Sequence, residues 1–421
     1  MAVDENSKWV RRFVTMWTGQ ACSFFGAELV QFTLVWWLTM QTHSATVLAF
    51  GMIMALLPQI IITPLAGTKL DRWNRRRVMI FANIGIAALT TMLVIIFTLD
   101  LAEVWVIYVM IFIRSSFAGF LWPAFQASTT MMVPEKFLTK VNGLNESVRG
   151  VATIFAPPLG AVLIAMLPVG DVLIADIATT VLAIGTLMVV SIPQPERRPG
   201  PKTSMKEDLK EAAGFLRSWP GVISLLAVFM VVNFLISPTF SLLPIMAVNH
   251  FGGGAMEYAS MESMAGIGMI IGGVLMGVWG GFKKRIVTVL VGISVVGAGI
   301  LLVGLTPASG LMMALGLLLV VGMMFPIINA SVLAIMQTGV PPEMQGRIFS
   351  IIISGVTIMT PLSLVIAGPL SDTMGVELWY LLAGSSLLVV GVGSFFVPAL
   401  MRIEEMAQMA KPSEPTAPSE V

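Results

Sequence analysis

Long apolar runs separated by short polar breaks dominate the chain. A helix needs about 20 residues to cross the hydrocarbon core of a bilayer. Runs of that length fall near 13–40, 46–68, 78–98, 104–131, 143–167, 172–192, 220–247, 258–281, 286–305, 310–337, 347–370 and 378–400, most of them bounded by turn or charge signals. The pattern predicts an all-α integral membrane protein with twelve transmembrane helices. The first run is too long for a secretory signal peptide, so it is expected to remain as a spanning helix.

The longest internal polar stretch, 193–219, divides the twelve spans into six and six. It opens with Pro193, Pro195, Pro199 and Pro201, which exclude a helix there. It continues as an amphipathic piece, Met205–Trp219, with Leu209, Ala212, Ala213 and Leu216 on one side, suited to a short helix lying on the membrane surface. The expected organisation is a six-helix bundle over 1–192, a linker over 193–219, a second bundle over 220–402 and a tail over 403–421. The end of the tail, rich in Pro, Ser and Glu, is expected to be disordered.

An internal repeat supports the division. Gly119-Phe-Leu-Trp-Pro-Ala-Phe-Gln-Ala-Ser128 in the fourth span matches Gly322-Met-Met-Phe-Pro-Ile-Ile-Asn-Ala-Ser331 in the tenth, and the same offset pairs Gly143 with Gly346 and Pro158 with Pro361. Six intervening spans give both copies the same orientation. Parallel halves imply a pseudo-twofold axis along the membrane normal, with a substrate site between them.

Composition agrees. Apolar residues make up 57% of the chain and charged residues 11%, against about 25% charged in soluble domains. A net charge of +1 gives no bias toward nucleic acid. The lone Cys22 excludes an intrachain disulfide, and His43 and His250 are too far apart in sequence to suggest a metal site. With the N-terminus in the cytoplasm, all but one of the 24 Lys and Arg residues fall on the cytoplasmic side, Lys136, Lys140 and Arg149 among them; the exception is Arg114, inside the fourth span. Both termini are thus expected to be cytoplasmic.

The loop after the second span reads Gly67-Thr-Lys-Leu-Asp71-Arg72-Trp-Asn-Arg75-Arg76-Arg77. It resembles the signature loop of the major facilitator superfamily, Gly-x-x-x-Asp-Arg-x-Gly-Arg-Arg-[Lys/Arg], with Asn74 in place of the second glycine; Asn tolerates a left-handed turn there. Basic residues alone would satisfy the positive-inside rule, but Asp71 would not. It is expected to latch the halves by lying against the N-terminus of the eleventh helix near Gly346. Within the superfamily, Trp17-Thr-Gly-Gln-Ala-Cys-Ser23, Phe112-Ile-Arg-Ser115, Val133-Pro-Glu-Lys-Phe-Leu-Thr-Lys140 and Gly346-Arg-Ile-Phe-Ser350 are similar to the macrolide-efflux group, which includes siderophore exporters. The resemblance implies export of a hydrophobic or amphipathic compound across the plasma membrane, driven by the proton gradient without another cofactor.

Ionisable residues inside a membrane are costly and are functional candidates by default. Three stand out: Glu28, Arg114 and Asp176. Glu28 and Arg114 lie at similar depth on spans one and four, which in this superfamily line the cavity together with spans seven and ten. They are expected to be close neighbours, either a proton-titrating pair or a structural one. Asp176, near the end of the sixth span, is expected to snorkel to water. Cavity candidates are Gln20, Phe24 and Gln31 on the first span, Ser116, Phe120 and Gln126 on the fourth, Asn233 and Ser237 on the seventh and Asn329 on the tenth. Pro123 and Pro326, and Pro158 and Pro361, would place kinks at equivalent points of the two halves, although Pro and Gly also serve ordinary helix packing.

The expected protein is a monomeric exporter that exchanges a hydrophobic small molecule for protons by alternating access. An importer or siderophore exporter on the same fold and a non-transporting receptor or scaffold are the rival readings. No phosphate-binding Gly-x-x-x-x-Gly-Lys-[Ser/Thr] loop is present, so an ATP-driven or other enzymatic role is not expected.

Overall fold

The computed structural model describes residues 2–70, 73–193, 214, 219–340 and 342–405. Among these, twelve helices are long and apolar enough to cross a membrane. They are α1 (Ala2–Thr42), α2 (Ala45–Leu70), α3 (Arg75–Thr98), α4 (Val104–Met132), α5 (Glu135–Met166), α6 (Val169–Val189), α7 (Pro220–Ser241), α8 (Ala255–Trp279), α9 (Arg285–Leu305), α10 (Leu311–Gly339), α11 (Pro342–Thr357, continuing as Met359–Met374) and α12 (Val376–Gly393). The chain is an all-helical multi-pass membrane protein. The proposed surface helix at 205–219 and the tail beyond 405 lie outside the described residues, apart from Gly214 and Trp219.

In the first half α1 packs on α5 and α6, α2 on α4, and α3 on α4 and α6; in the second, α8 packs on α10, α9 on α10 and α12, and α7 on α11 and α12. The α8–α10 pair shows why small residues are needed where no hydrophobic force drives helices together. A Cβ at Gly268 would lie 2.1 Å from the Leu319 carbonyl oxygen, one at Gly272 2.0 Å from that of Met323, and one at Gly322 2.1 Å from that of Ala265. The backbones touch, and any side chain at these positions would force them apart.

Each half carries an arginine brace. Arg75, at the start of α3, donates to the Ala127 carbonyl of α4 at 2.8 Å. Arg285, at the start of α9, donates to the Ala334 carbonyl of α10 at 3.1 Å. Arg76 reaches α6 instead and donates to the Leu187 carbonyl at 2.7 Å. Leu187 is in the last turn of α6, where carbonyls have no intrahelical donor; the Ala127 and Ala334 carbonyls lie inside α4 and α10 and accept the guanidinium as a second donor. Asn74 is not in a left-handed turn. Its backbone is extended and its side chain accepts from the Arg77 amide at 3.1 Å, making it the N-cap of α3. Asp71 and Arg72 lie outside the described residues, as do the side-chain surroundings of Gly67 and Gly346, and with them the expected latch.

Pro123, Pro158 and Pro326 lie within uninterrupted helices. On α11 the helix breaks at Ile358, just before Pro361. A proline ring crowds the carbonyl four residues back, which here is Thr357, the last residue before the break.

Spans alternate in direction, so the bundle has a proximal end, at the start of α1, and a distal end, at the α1–α2 turn. The two halves interlock toward the distal end through α2 with α11 and through α5 with α8. Asp372, near the end of α11, accepts from Ser44 Oγ at 2.7 Å, the Ala45 amide at 2.5 Å and the Thr46 amide at 3.0 Å. A carboxylate of the second half thus caps the N-terminus of α2 in the first, where unsatisfied amides and the helix dipole favour negative charge. Gly368, one turn earlier, lets α11 close on α2: a Cβ there would stand 2.9 Å from Thr46 Cα. Deeper in, Ser263 of α8 donates to the Ile154 carbonyl of α5 at 2.9 Å.

Candidate functional site: a charged cavity within the bundle

A cavity of about 490 Å³ is lined mainly by α1, α2, α4 and α5, with Ser241 from the end of α7. Helix periodicity turns Phe24, Glu28 and Gln31 of α1 to one face, and all three line it. Arg114 and Ser115 come from α4, Met52 and Gln59 from α2, and Arg149 from α5. The Arg149 guanidinium lies over the Trp122 ring, 4.7 Å from its centroid, where the ring face attracts the cation. Phe24 meets Trp122 edge-on at 5.4 Å and Phe125 at 5.8 Å. The wall is therefore mixed, with aromatic faces beside one acid and two guanidinium groups.

Glu28 and Arg114 line the same cavity, but the expected direct pair does not form. The Arg114 guanidinium bonds Asp176 Oδ2 at 3.0 Å. Asp176 is 1% exposed and also accepts from Thr90 Oγ1 at 2.8 Å. It does not snorkel. It lies among α1, α3, α4 and α6, close to Gly26, where a Cβ would stand 3.0 Å from its Oδ1. A buried, hydrogen-bonded carboxylate is the natural counter-ion for a membrane-embedded arginine. Glu28 is thereby left accessible from the cavity, with Arg149 and Arg114 as the cations in electrostatic reach.

The other expected lining residues lie elsewhere. Ser116 is rotated away and bonds its own helix at the Phe112 carbonyl, while Ser115, one residue earlier, lines the cavity and accepts from Gln59 Nε2 at 3.0 Å. Gln20 is buried, with no hydrogen-bond partner for its amide among the described residues. Phe120 packs toward Trp73 at 6.4 Å. Gln126 is half-buried on α4, and Asn329 is exposed on α10. Ser237 bonds Asn233 at 3.3 Å and Thr360 at 2.9 Å, tying α7 to α11. None of these lines the cavity.

Two charged residues escape a reading by charge and depth alone. Arg149 does not sit at the proximal end of α5, where the charge count places it. Because α5 starts at Glu135, Arg149 is carried to mid-helix and into the cavity wall. Glu262, on α8, carries the same signal as Glu28, an acid inside an apolar run, and Phe32, Trp36 and Tyr258 crowd the neighbouring seam between the halves. Among the described residues no group of His, Cys, Asp and Glu could hold a metal ion.

Twelve spanning helices, two interlocked halves and an internal cavity with embedded charges define the class as a membrane carrier. The model of the Major Facilitator Superfamily matches residues 16–364, and the chain belongs to that family. It is 30% identical over 392 residues to macrolide efflux protein A of Streptococcus pyogenes, covering 93% of this chain and 96% of that one. It is 26% identical to the multidrug efflux pump Tap of Mycolicibacterium fortuitum, covering 89% and 92%. Among solved structures it resembles a bacterial homologue of the human lysosomal transporter Spinster, inward-facing and unoccupied, with a TM-score of 0.72 at 14% identity over 97% of this chain and 99% of that one; that likeness concerns the fold. The protein is a transporter of this superfamily and not an enzyme.

Proposed function

We propose that the chain exports a hydrophobic or amphipathic, macrolide-like small molecule across the plasma membrane in exchange for protons, with both termini in the cytoplasm and the distal end outside. The observation that carries this reading is Glu28, a carboxylate open to a largely apolar cavity that also presents the Phe24 and Trp122 rings and the Arg114 and Arg149 guanidinium groups. Such a wall offers stacking surface to a bulky apolar substrate and a group able to change its protonation. The efflux names of the two relatives support the substrate class, and the cytoplasmic bias of Lys and Arg supports the orientation.

A drug-susceptibility panel in a pump-deficient host tests the reading, alongside everted vesicles with an imposed pH gradient. The wild-type chain should raise resistance to macrolide-like compounds and extrude them only when the gradient is present. Glu28→Gln should abolish gradient-driven extrusion at unchanged expression. Full proton-driven transport by Glu28→Gln would remove Glu28 from the mechanism, and lack of extrusion of any compound by the wild-type chain would favour a receptor or scaffold.

A further inference from the structure

The seam between the halves holds a second embedded carboxyl. Glu262 is one turn beyond Tyr258 on α8, and the Tyr258 phenol faces its carboxyl. Tyr258 is buried, and its ring stacks on Phe32 of α1 at 5.0 Å and lies 6.3 Å from that of Trp36. The adjacent Ser263 is fastened to the Ile154 carbonyl of α5. Glu262 is thus flanked by a contact of Tyr258 with α1 and a bond of Ser263 to α5, both of which cross from one half to the other. Its Oε2 is buried with no hydrogen-bond partner among the described residues. The charge facing it from the opposite half is another acid, Glu28.

Two carboxylates facing each other between the halves repel when both are charged, and a proton on one of them relieves that repulsion. The groups that act on Glu28 are Arg149 on α5, Arg114 on α4, and Glu262 and Tyr258 on α8. Those that act on Glu262 are Glu28 and Tyr258. Glu28 has two guanidinium groups in electrostatic reach. Among the described residues Glu262 faces no cation and has an unpartnered oxygen, so it is the site for the proton.

We propose that Glu262 is the proton-carrying residue of the second half, holding a proton while the distal seam is shut and driving the seam open when that proton is lost. Losing the proton to water breaks only an O–H bond and leaves two like charges across the seam. Their repulsion is relieved by separating the halves at the distal end. Once the seam is open, a proton from the distal solution restores the neutral acid and lets it close. The proposal rests on the proton-driven reading above and adds the residue that converts protonation into movement.

Distance measurements on the full chain, without substrate, test it. Spin labels would be placed at Met40→Cys and Met374→Cys, both exposed at the distal end, in a Cys22→Ser background in lipid nanodiscs. The wild type should show the short, closed distance at pH 5.5 and a growing longer population at pH 8.5. Glu262→Gln, a permanent mimic of the neutral acid, should stay short at both. Glu262→Asp, which keeps a titrating carboxyl, should retain the shift and so exclude misfolding as the cause. A pH-dependent opening that survives Glu262→Gln, or a wild type with no pH-dependent opening, overturns the proposal. Drug extrusion by the same variants is read separately, so the exporter reading can stand while this one falls.

Discussion

Arg114 of α4 and Asp176 of α6 form an ion pair at 3.0 Å, with Thr90 of α3 as the second donor to the same carboxylate oxygen. The pair joins three helices inside the first half, and its acid is almost wholly buried. Removing one partner leaves an uncompensated charge, which typically costs about 3–5 kcal/mol. Asp176→Ala should therefore lower the melting temperature in detergent markedly, and Arg114→Met should do the same. Combining Arg114→Met with Asp176→Leu should recover most of the loss. Thermal-shift measurements on the two single variants and the double variant check this, and additive losses in the double variant would contradict it.

The distal cap is a contact between halves, so its loss should move a conformational equilibrium more than a melting point. Asp372→Asn replaces a charged acceptor at the N-terminus of α2 with a neutral one. Hydrogen bonds to charged groups contribute about 1.5–3 kcal/mol each, so loss of one alone implies roughly a ten- to hundredfold rise in the open population. Ala45, buried under the cap, provides the reporter. In a Cys22→Ser background, Ala45→Cys should react with a membrane-impermeant thiol reagent much faster when Asp372→Asn is also present.

The α8–α10 contact tolerates no side chain. Gly272→Val must displace the backbone at Met323, and overpacking of this kind typically costs about 1–3 kcal/mol. The expected result is loss of a monodisperse peak in size-exclusion chromatography. Gly277→Ala on the same helix, with open space at its Cβ, should behave as wild type.

Trp122 serves the cavity twice, as the platform under Arg149 and as the edge-on partner of Phe24. Trp122→Ala removes both contacts. Aromatic pairs contribute about 0.5–1.5 kcal/mol beyond their area, so substrate affinity should fall by up to roughly tenfold. Concentration-dependent quenching of tryptophan fluorescence is compromised by this substitution, so binding is better followed by calorimetry. Trp122→Phe should restore most of the affinity.

The spans were legible because a membrane imposes a minimum apolar length, which sequence states directly. Depth was legible for the same reason: Glu28 and Arg114 do line one cavity. Direction around the helix was harder. One residue turns an α-helix by about 100°, enough to place Ser115 in the cavity and leave Ser116 out of it. Partner choice was least accessible. Position along α6 suggested that Asp176 would reach water. The close approach of α6 to α1 at Gly26 holds it inside the bundle instead. Arg149 lies within the apolar run 143–167, and counting it with the charges at the end of that run overlooks that the helix turns it into the cavity.

The braces of Arg75 on Ala127 and Arg285 on Ala334 are each confined to one half. Neither bond crosses from one bundle to the other, and neither depends on the covalent tether between them. Two separately encoded polypeptides, divided within 193–219, would each keep their own internal fastening and could meet in the bilayer as preformed pieces. Their reassembly would then depend on the surfaces they share, chiefly the Asp372 cap and the α5–α8 seam.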